Sequence, residues 1–247
     1  MSDLPDVFVK RGHAPGATAA EAAGLRWLAS ADAVAVPTVH HQDEESLVID
    51  RVPAGRPSVA AAERFGRGLA RLHAAGAPAF GAAPPDGPEE AWIGLAPMKN
   101  VPAEDWASWY ASDRVLPYVR RAVDAGTFDA SEAAVFERAC DRLPALEEPP
   151  ARLHGDLWTG NVLWDGEQVW LIDPAAHGGH RETDLAMLRL FGCPHLDRIV
   201  AAYDETAPLA AGWTERIGLH QLFPLLVHTV LFGQSYAGQA LAAARSF

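Results

Sequence analysis

Cysteine is nearly absent from this 247-residue chain, with Cys140 and Cys193 the only two. That is too few, and they are too isolated, for a disulfide framework or a zinc site, so two buried thiols in a reducing cytoplasm are expected. Positive charge is also scarce. Twenty Lys and Arg against 32 Asp and Glu give a formal net charge of −12 and a pI of about 5.2. An acidic surface repels phosphate backbones and anionic headgroups, which argues against nucleic acid and membrane as partners. A single nucleotide stays compatible if Mg²⁺ and a few local cations neutralise it. Long apolar runs are missing as well. The most apolar stretch, 222–232, is too short to span a bilayer and contains Pro224 and His228. Residues 1–11 lack the basic start and long apolar region of a secretory signal. There is no internal repeat or low-complexity tail. What is present, 49% apolar and 21% charged residues, fits a soluble globular protein with one sizeable core or two modest ones.

The informative stretch is His154-Gly155-Asp156-Leu157-Trp158-Thr159-Gly160-Asn161, followed by the apolar run Val169-Trp170-Leu171-Ile172 that ends in Asp173-Pro174. Residues 162–164, the Asp165-Gly166 pair and residues 168–172 read as a hairpin, because Asp-Gly is a preferred tight-turn pair between apolar strands. Pairing outward from that turn sets Asn161 opposite residue 170 or 171. Asp173 is then two or three residues further on, roughly 7–10 Å at strand rise. Phosphoryl transfer needs a carboxylate to orient and deprotonate a hydroxyl, and hard oxygen ligands for Mg²⁺. Asp156 is the candidate base; Asn161 and Asp173 are the candidate metal ligands. Each fragment alone reads more readily as ordinary turn or strand exit, but His-x-Asp-x₄-Asn ahead of a strand ending in Asp has the order and spacing of kinase catalytic and metal-binding loops.

These residues, with Gly179-His180-Arg181-Glu182-Thr183-Asp184-Leu185-Ala186-Met187, resemble the fructosamine kinase (ketosamine-3-kinase) family, within the wider aminoglycoside-phosphotransferase-like and choline-kinase-like group. The resemblance runs from about Phe8 to Gly238. It implies an α+β, protein-kinase-like two-lobed fold with a truncated N-terminal β lobe and a larger, mainly helical C-terminal lobe. The boundaries expected are 1–53 for the nucleotide-binding lobe, 54–57 for the hinge and 58–247 for the catalytic lobe. It further implies ATP and Mg²⁺ as cofactors and a free ketosamine or glycated lysine as acceptor. In the kinase plan a strand lysine holds the α and β phosphates and a helix glutamate holds the lysine; Lys10, in the strand 7–10, and Glu21, in a helix over 18–31, match. Local sequence alone leaves Glu21 open, since Thr18-Ala19-Ala20-Glu21 is also a capping box. By the same resemblance, main chain near Asp50 and Val52 receives the adenine, and Asp184 supports the catalytic loop, with His154 also supporting. Trp158 is placed to stack on the sugar, or else is a core tryptophan.

Further elements are expected at 47–52 (strand), 58–75 (helix capped by Ser58), 106–119, 130–146 and 182–190 (helices), with helices from about 195 onward. His73 reads as a packed structural histidine. Residues 77–102, rich in Pro, Gly and Ala, show no periodicity and are expected to line or cover the acceptor site. The pattern departs from the family in one respect. Only nine residues precede Lys10, and no glycine-rich phosphate loop lies among them. A start internal to a longer gene product is the expectation adopted; a shortened paralogue with little activity, or another segment substituting, are the alternatives. Two rival functions stay open: the same chemistry on an aminoglycoside, choline or homoserine, and a pseudokinase that binds without turnover.

Overall fold

The computed structural model describes residues 6–247. Three antiparallel strands open the chain, β1 (Val7–Arg11), β2 (Val39–Gln42) and β3 (Ser46–Asp50), in the spatial order β1-β3-β2. Residues of β3 alternate inward, so Leu47 and Ile49 meet Ala22 and Leu25 of helix α1 (Ala17–Ala29) in a small core. Thr18 does not cap its own helix. Its hydroxyl donates to the Asp43 carbonyl at 2.5 Å, which ties α1 to the β2–β3 turn. Gly55, in the connecting segment, has its N–H bonded to the Trp164 carbonyl at 2.6 Å, and a Cβ there would lie 2.1 Å from the Asp165 carbonyl carbon. Only glycine allows that backbone contact, which clamps the connection onto the 165–166 turn.

Helix α2 (Val59–Ala74) begins where the Ser58 side chain accepts from the Ala61 amide at 3.2 Å. Its buried face, including Phe65, Leu69 and Leu72, packs in one core with the catalytic hairpin described below. The segment read as aperiodic contains a hairpin, β4 (Glu90–Ile93) and β5 (Ala96–Lys99), with Gly94 at φ +54 in its turn. Four-residue strands with Pro97 in one of them give too little alternation to stand out from the Pro/Gly-rich surroundings. The single helix expected over 106–119 is three pieces: α3 (Trp106–Trp109), a π-helical turn at Tyr110–Val115, and α4 (Leu116–Asp124). Pro117 has no N–H to return to the preceding turn, and Arg114 donates to the Asp113 carbonyl at 3.4 Å instead. Helix α5 (Ala130–Cys140) stops six residues before the expected end, short of Pro144.

Two small antiparallel ladders then frame the catalytic stretch. Strand β6 (Ala151–Leu153) pairs with β9 (His177–Gly179), and β7 (Val162–Trp164) pairs with β8 (Val169–Leu171) around Asp165-Gly166. The register puts Val162 opposite Leu171, and the Ile172 amide donates to the Asn161 carbonyl at 3.2 Å. Asn161 therefore sits across from residue 172, one or two positions beyond the expected partner. Helices α6 (Glu182–Phe191), α7 (Leu196–Thr206), α8 (Ile217–Phe232) and α9 (Gln234–Ala244) complete the fold. Cys140 and Cys193 are half-buried and free, and burial pushes the Cys140 thiol up to about 11. No helix among the described residues is long and apolar enough to cross a membrane.

Candidate active site

A cleft of about 370 Å³ opens between the N-terminal sheet and the helical part, and Lys10, Glu21, Asp156, Trp158, Asn161 and Asp173 all line it. The chain reaches it from three directions. Strand β1 delivers Lys10, the turn after β6 delivers Asp156 and Trp158, and the two ends of the β7–β8 hairpin deliver Asn161 and Asp173.

Glu21 takes the ion-pair alternative over the capping box. Lys10 Nζ donates to both of its carboxylate oxygens, at 2.6 and 2.7 Å, and to Asp173 Oδ1 at 2.8 Å. Burial favours the neutral amine, but the two flanking carboxylates outweigh it and hold the ammonium charged, above its usual range. Asp173 has φ +53, a left-handed conformation that Asp tolerates better than most residues. The chain turns sharply there before Pro174, and the carboxylate, 44% exposed, points into the cleft.

Asn161 Nδ2 donates to Asp156 Oδ2 at 3.0 Å and to the Asp156 carbonyl at 2.8 Å. That fixes the amide, so Oδ1 is the atom it presents elsewhere. With the Asp173 carboxylate it makes a set of hard oxygens, which suits a small divalent cation whose other ligands are phosphate and water. Asp156 is half-buried at the cleft floor, and desolvation, reinforced by the nearby Asp173 and Asp184 charges against the Asn161 hydrogen bond, raises its carboxyl to about 7. A carboxylate poised near neutrality is what a general base requires.

The loop around Asp156 is held from beneath. Asp184, fully buried at the start of α6, accepts from the His154 amide at 2.8 Å and the Gly155 amide at 3.0 Å. The same carboxylate takes Nε2–H of His73 at 3.1 Å, and His73 Nδ1 accepts from the Tyr203 hydroxyl at 2.8 Å. His73 is thus a packed, bonded core residue. His154 spans the loop: Nε2–H donates to the Ile172 carbonyl at 2.9 Å and Nδ1 accepts from the Asp156 amide at 3.2 Å. Burial keeps the ring neutral, as those two roles demand. Gly155 lies at φ +81, with Ala175 O only 2.1 Å from where a Cβ would sit.

Trp158 is 36% exposed and meets Phe191 edge-on at 5.9 Å; Phe191 in turn contacts His228 at 4.8 Å. Its ring lies on Gly160, where a Cβ would fall 2.4 Å from it. The residue is therefore a cleft-wall aromatic, with the bare face of Gly160 as its seat. The sequence held no pointer to Phe191 or His228, which back Trp158 through the packing of α6 on α8 without lining the cleft themselves. Nor did it point to Trp92 of β4, whose edge contact with His13 at 5.2 Å bridges the cleft mouth.

Asp50 and Val52 are not brought to this cleft. The Asp50 amide is committed to the Thr38 carbonyl at 3.1 Å and its carboxylate to the Thr38 amide and His40. The Gly179–Glu182 motif also lies outside the cleft. Arg181 forks onto Glu148 at 2.6 and 2.8 Å, and Glu182 pairs with Arg216. His180, Glu182 and His220 have ligand atoms within 4.8 Å of one another, but Arg216 occupies both Glu182 oxygens, so the cluster is an ion-pair brace.

The family model for fructosamine kinase matches residues 3–246. A crystal structure assigned as a fructosamine-3-kinase from Thermobifida fusca superposes with TM-score 0.91 at 47% identity, covering 99% of this chain and 86% of that one. A probable ketoamine kinase of Enterococcus faecium is 36% identical over 177 residues, 69% of this chain and 61% of that protein. The macrolide 2′-phosphotransferase of Brachybacterium faecium shares the fold alone, with TM-score 0.59 at 16% identity over 99% of this chain and 84% of that one.

Proposed function

This chain belongs to the fructosamine kinase family, ATP-dependent small-molecule kinases with an alcohol acceptor, and we propose that it phosphorylates the 3-hydroxyl of a ketosamine, free or on a protein lysine, in the cytoplasm. The observation that carries this reading is the convergence of Lys10, Asp156, Asn161 and Asp173 on one cleft with Trp158 at its wall. Asp156 receives the proton of the acceptor hydroxyl, and its near-neutral carboxyl lets it do so at physiological pH. Asn161 Oδ1 and the Asp173 carboxylate hold Mg²⁺, which supplies charge neutralisation at the transferred phosphoryl group. Lys10, steadied by Glu21, leaves Asp173 to meet the α and β phosphates. Trp158, backed by Phe191 and, behind it, His228, offers an aromatic face to the sugar and its amine substituent.

Turnover of fructose-lysine, ribulose-lysine, choline and an aminoglycoside, compared by ADP release, tests the acceptor. Ketosamines are expected to dominate; preference for either of the last two refutes the assignment. Trp158→Ala is expected to raise the ketosamine KM about 3- to 10-fold, the worth of one aromatic contact, with the KM for ATP unchanged, as read from initial rates against each substrate.

A further inference from the structure

Arg114 is a buried cation that main-chain carbonyls brace but no carboxylate neutralises. It is fully buried in the π-helical turn, and among the described residues no carboxylate pairs with it. Its guanidinium lies 4.6 Å from the centre of the Trp109 ring and 5.4 Å from that of Phe223. It donates to the Lys99 carbonyl at 2.7 Å and to Asn100 Oδ1 at 3.0 Å. An unpaired buried cation is costly to a fold, and a methionine or leucine would fill the same space at less expense.

What the cation accomplishes is visible at its far end. Arginine can only donate, so the Asn100 atom facing it must be the carbonyl oxygen and the amide cannot be flipped. Asn100 is 1% exposed, its amide N–H closes the base of the β4–β5 hairpin on the Glu89 carbonyl at 2.7 Å, and it lines the same cleft as Asp156. With Oδ1 turned to Arg114, Nδ2 is the atom left to the cleft, and it has no acceptor among the described residues. The atom is open to the cleft and free to meet a ligand there. The stack continues from Arg114 through Trp109 to His177, 5.8 Å further, which lies under Gly155. Asn100 therefore belongs to the floor next to the catalytic turn. The tip of its hairpin, Gly94, meets Leu231 of α8, the helix that carries His228 behind Trp158. The cleft wall that it shares with Asp156 and Trp158 is what sets it beside the acceptor.

We propose that Asn100 Nδ2 donates a hydrogen bond to an oxygen of the acceptor sugar, and that Arg114 is the positioning residue that fixes this amide. The proposal rests on the kinase reading of the cleft and adds a specificity determinant to it. A donor held rigidly at the floor selects polyhydroxylated acceptors over amines lacking an oxygen at that point.

Asn100→Asp is the decisive variant, because a carboxylate pairs with Arg114 and keeps the fold while turning an acceptor toward the sugar. The KM for fructose-lysine is expected to rise about 10- to 100-fold, with the KM for ATP within twofold and the thermal midpoint retained or raised. Arg114→Lys keeps the charge but loses the two-pronged bridge, and shifts the same KM in the same direction by less. An unchanged acceptor KM in Asn100→Asp, or a shift confined to ATP, overturns the proposal. Should neither fructose-lysine nor ribulose-lysine be turned over, the acceptor assignment fails on its own. Calorimetric titration of fructose-lysine into the parent and Asn100→Asp then decides this one: weaker binding in the variant supports it, and equal binding or none overturns it.

Discussion

Asp156→Asn loses about 10³-fold in turnover, in the middle of the range for removal of a general base, while gaining stability above neutral pH. The two effects come from one cause. The Asp156 carboxyl is raised to about 7 chiefly by burial, so between its unfolded value near 3.8 and about 7 the folded protein binds a proton that the unfolded chain has released. Stability therefore falls as pH rises through that window, and at pH 8 the parent carries the full penalty of a buried carboxylate. The neutral amide removes it, and its remaining oxygen still accepts from Asn161 Nδ2. A gain of about 1–3 kcal/mol in unfolding free energy is expected at pH 8, none below pH 4. Mg²⁺ shrinks the gain, because a cation held by Asn161 and Asp173 favours the ionised form of the parent. In the parent, kcat/KM rises with pH toward a plateau above about 7, and in the variant that limb disappears. ADP release and urea unfolding across pH 4–8 check both halves. A variant that is inactive and also less stable at pH 8 would contradict the assignment of Asp156 as a desolvated base.

That these side chains share one cleft was legible in the sequence because phosphoryl transfer restricts both residue type and order. Asp156, Asn161 and Asp173 lie within 18 positions of one another, on a hairpin whose Asp-Gly turn fixes their relative places. Lys10 is one of only two lysines in the chain, and it stands in a strand just ahead of the glutamate that binds it. The rest of the cleft is built at long range, where local pattern carries no information. Asn100 and Arg114 meet only because the π-helical turn and the β4–β5 hairpin pack against each other, and neither element has a local signal strong enough to read. Phe191 and His228 are ordinary helical positions until α6 and α8 cross. The Gly179–Glu182 motif stands out in the sequence, yet its side chains brace helices instead of touching the cleft, a distinction that requires knowing where Arg216 and Glu148 lie.

Asp184→Ala lowers stability and activity together, and that pairing separates a loop support from a reacting group. The carboxylate is the common acceptor for the His154 and Gly155 amides and for His73 Nε2. Burial alone would raise its carboxyl, but these bonds and the two neighbouring imidazoles hold it below the usual range. A folded value below the unfolded one means that its stabilising contribution is present above the unfolded value and lost as pH falls through the folded one. Alanine leaves three donors in the core without an acceptor, at a cost of about 3–5 kcal/mol near neutrality, the scale for breaking a buried charged contact. For a chain of this size that is a fall of roughly 10 °C in thermal midpoint. The deficit shrinks only in strong acid, below the depressed folded value, where the parent also loses the contact, so urea unfolding at pH 7 and at about pH 2 tests the sign. Turnover falls too, because Gly155 at φ +81 and the Asp156 that follows it are released from their anchor. Unlike Asp156→Asn, this variant retains the base itself, so its residual activity keeps a pH limb, moved to lower pH because the Asp184 charge that helps raise the Asp156 carboxyl is gone. An Asp184→Ala protein as stable as the parent at pH 7 would show that the loop is held by His154 and the β6–β9 ladder instead.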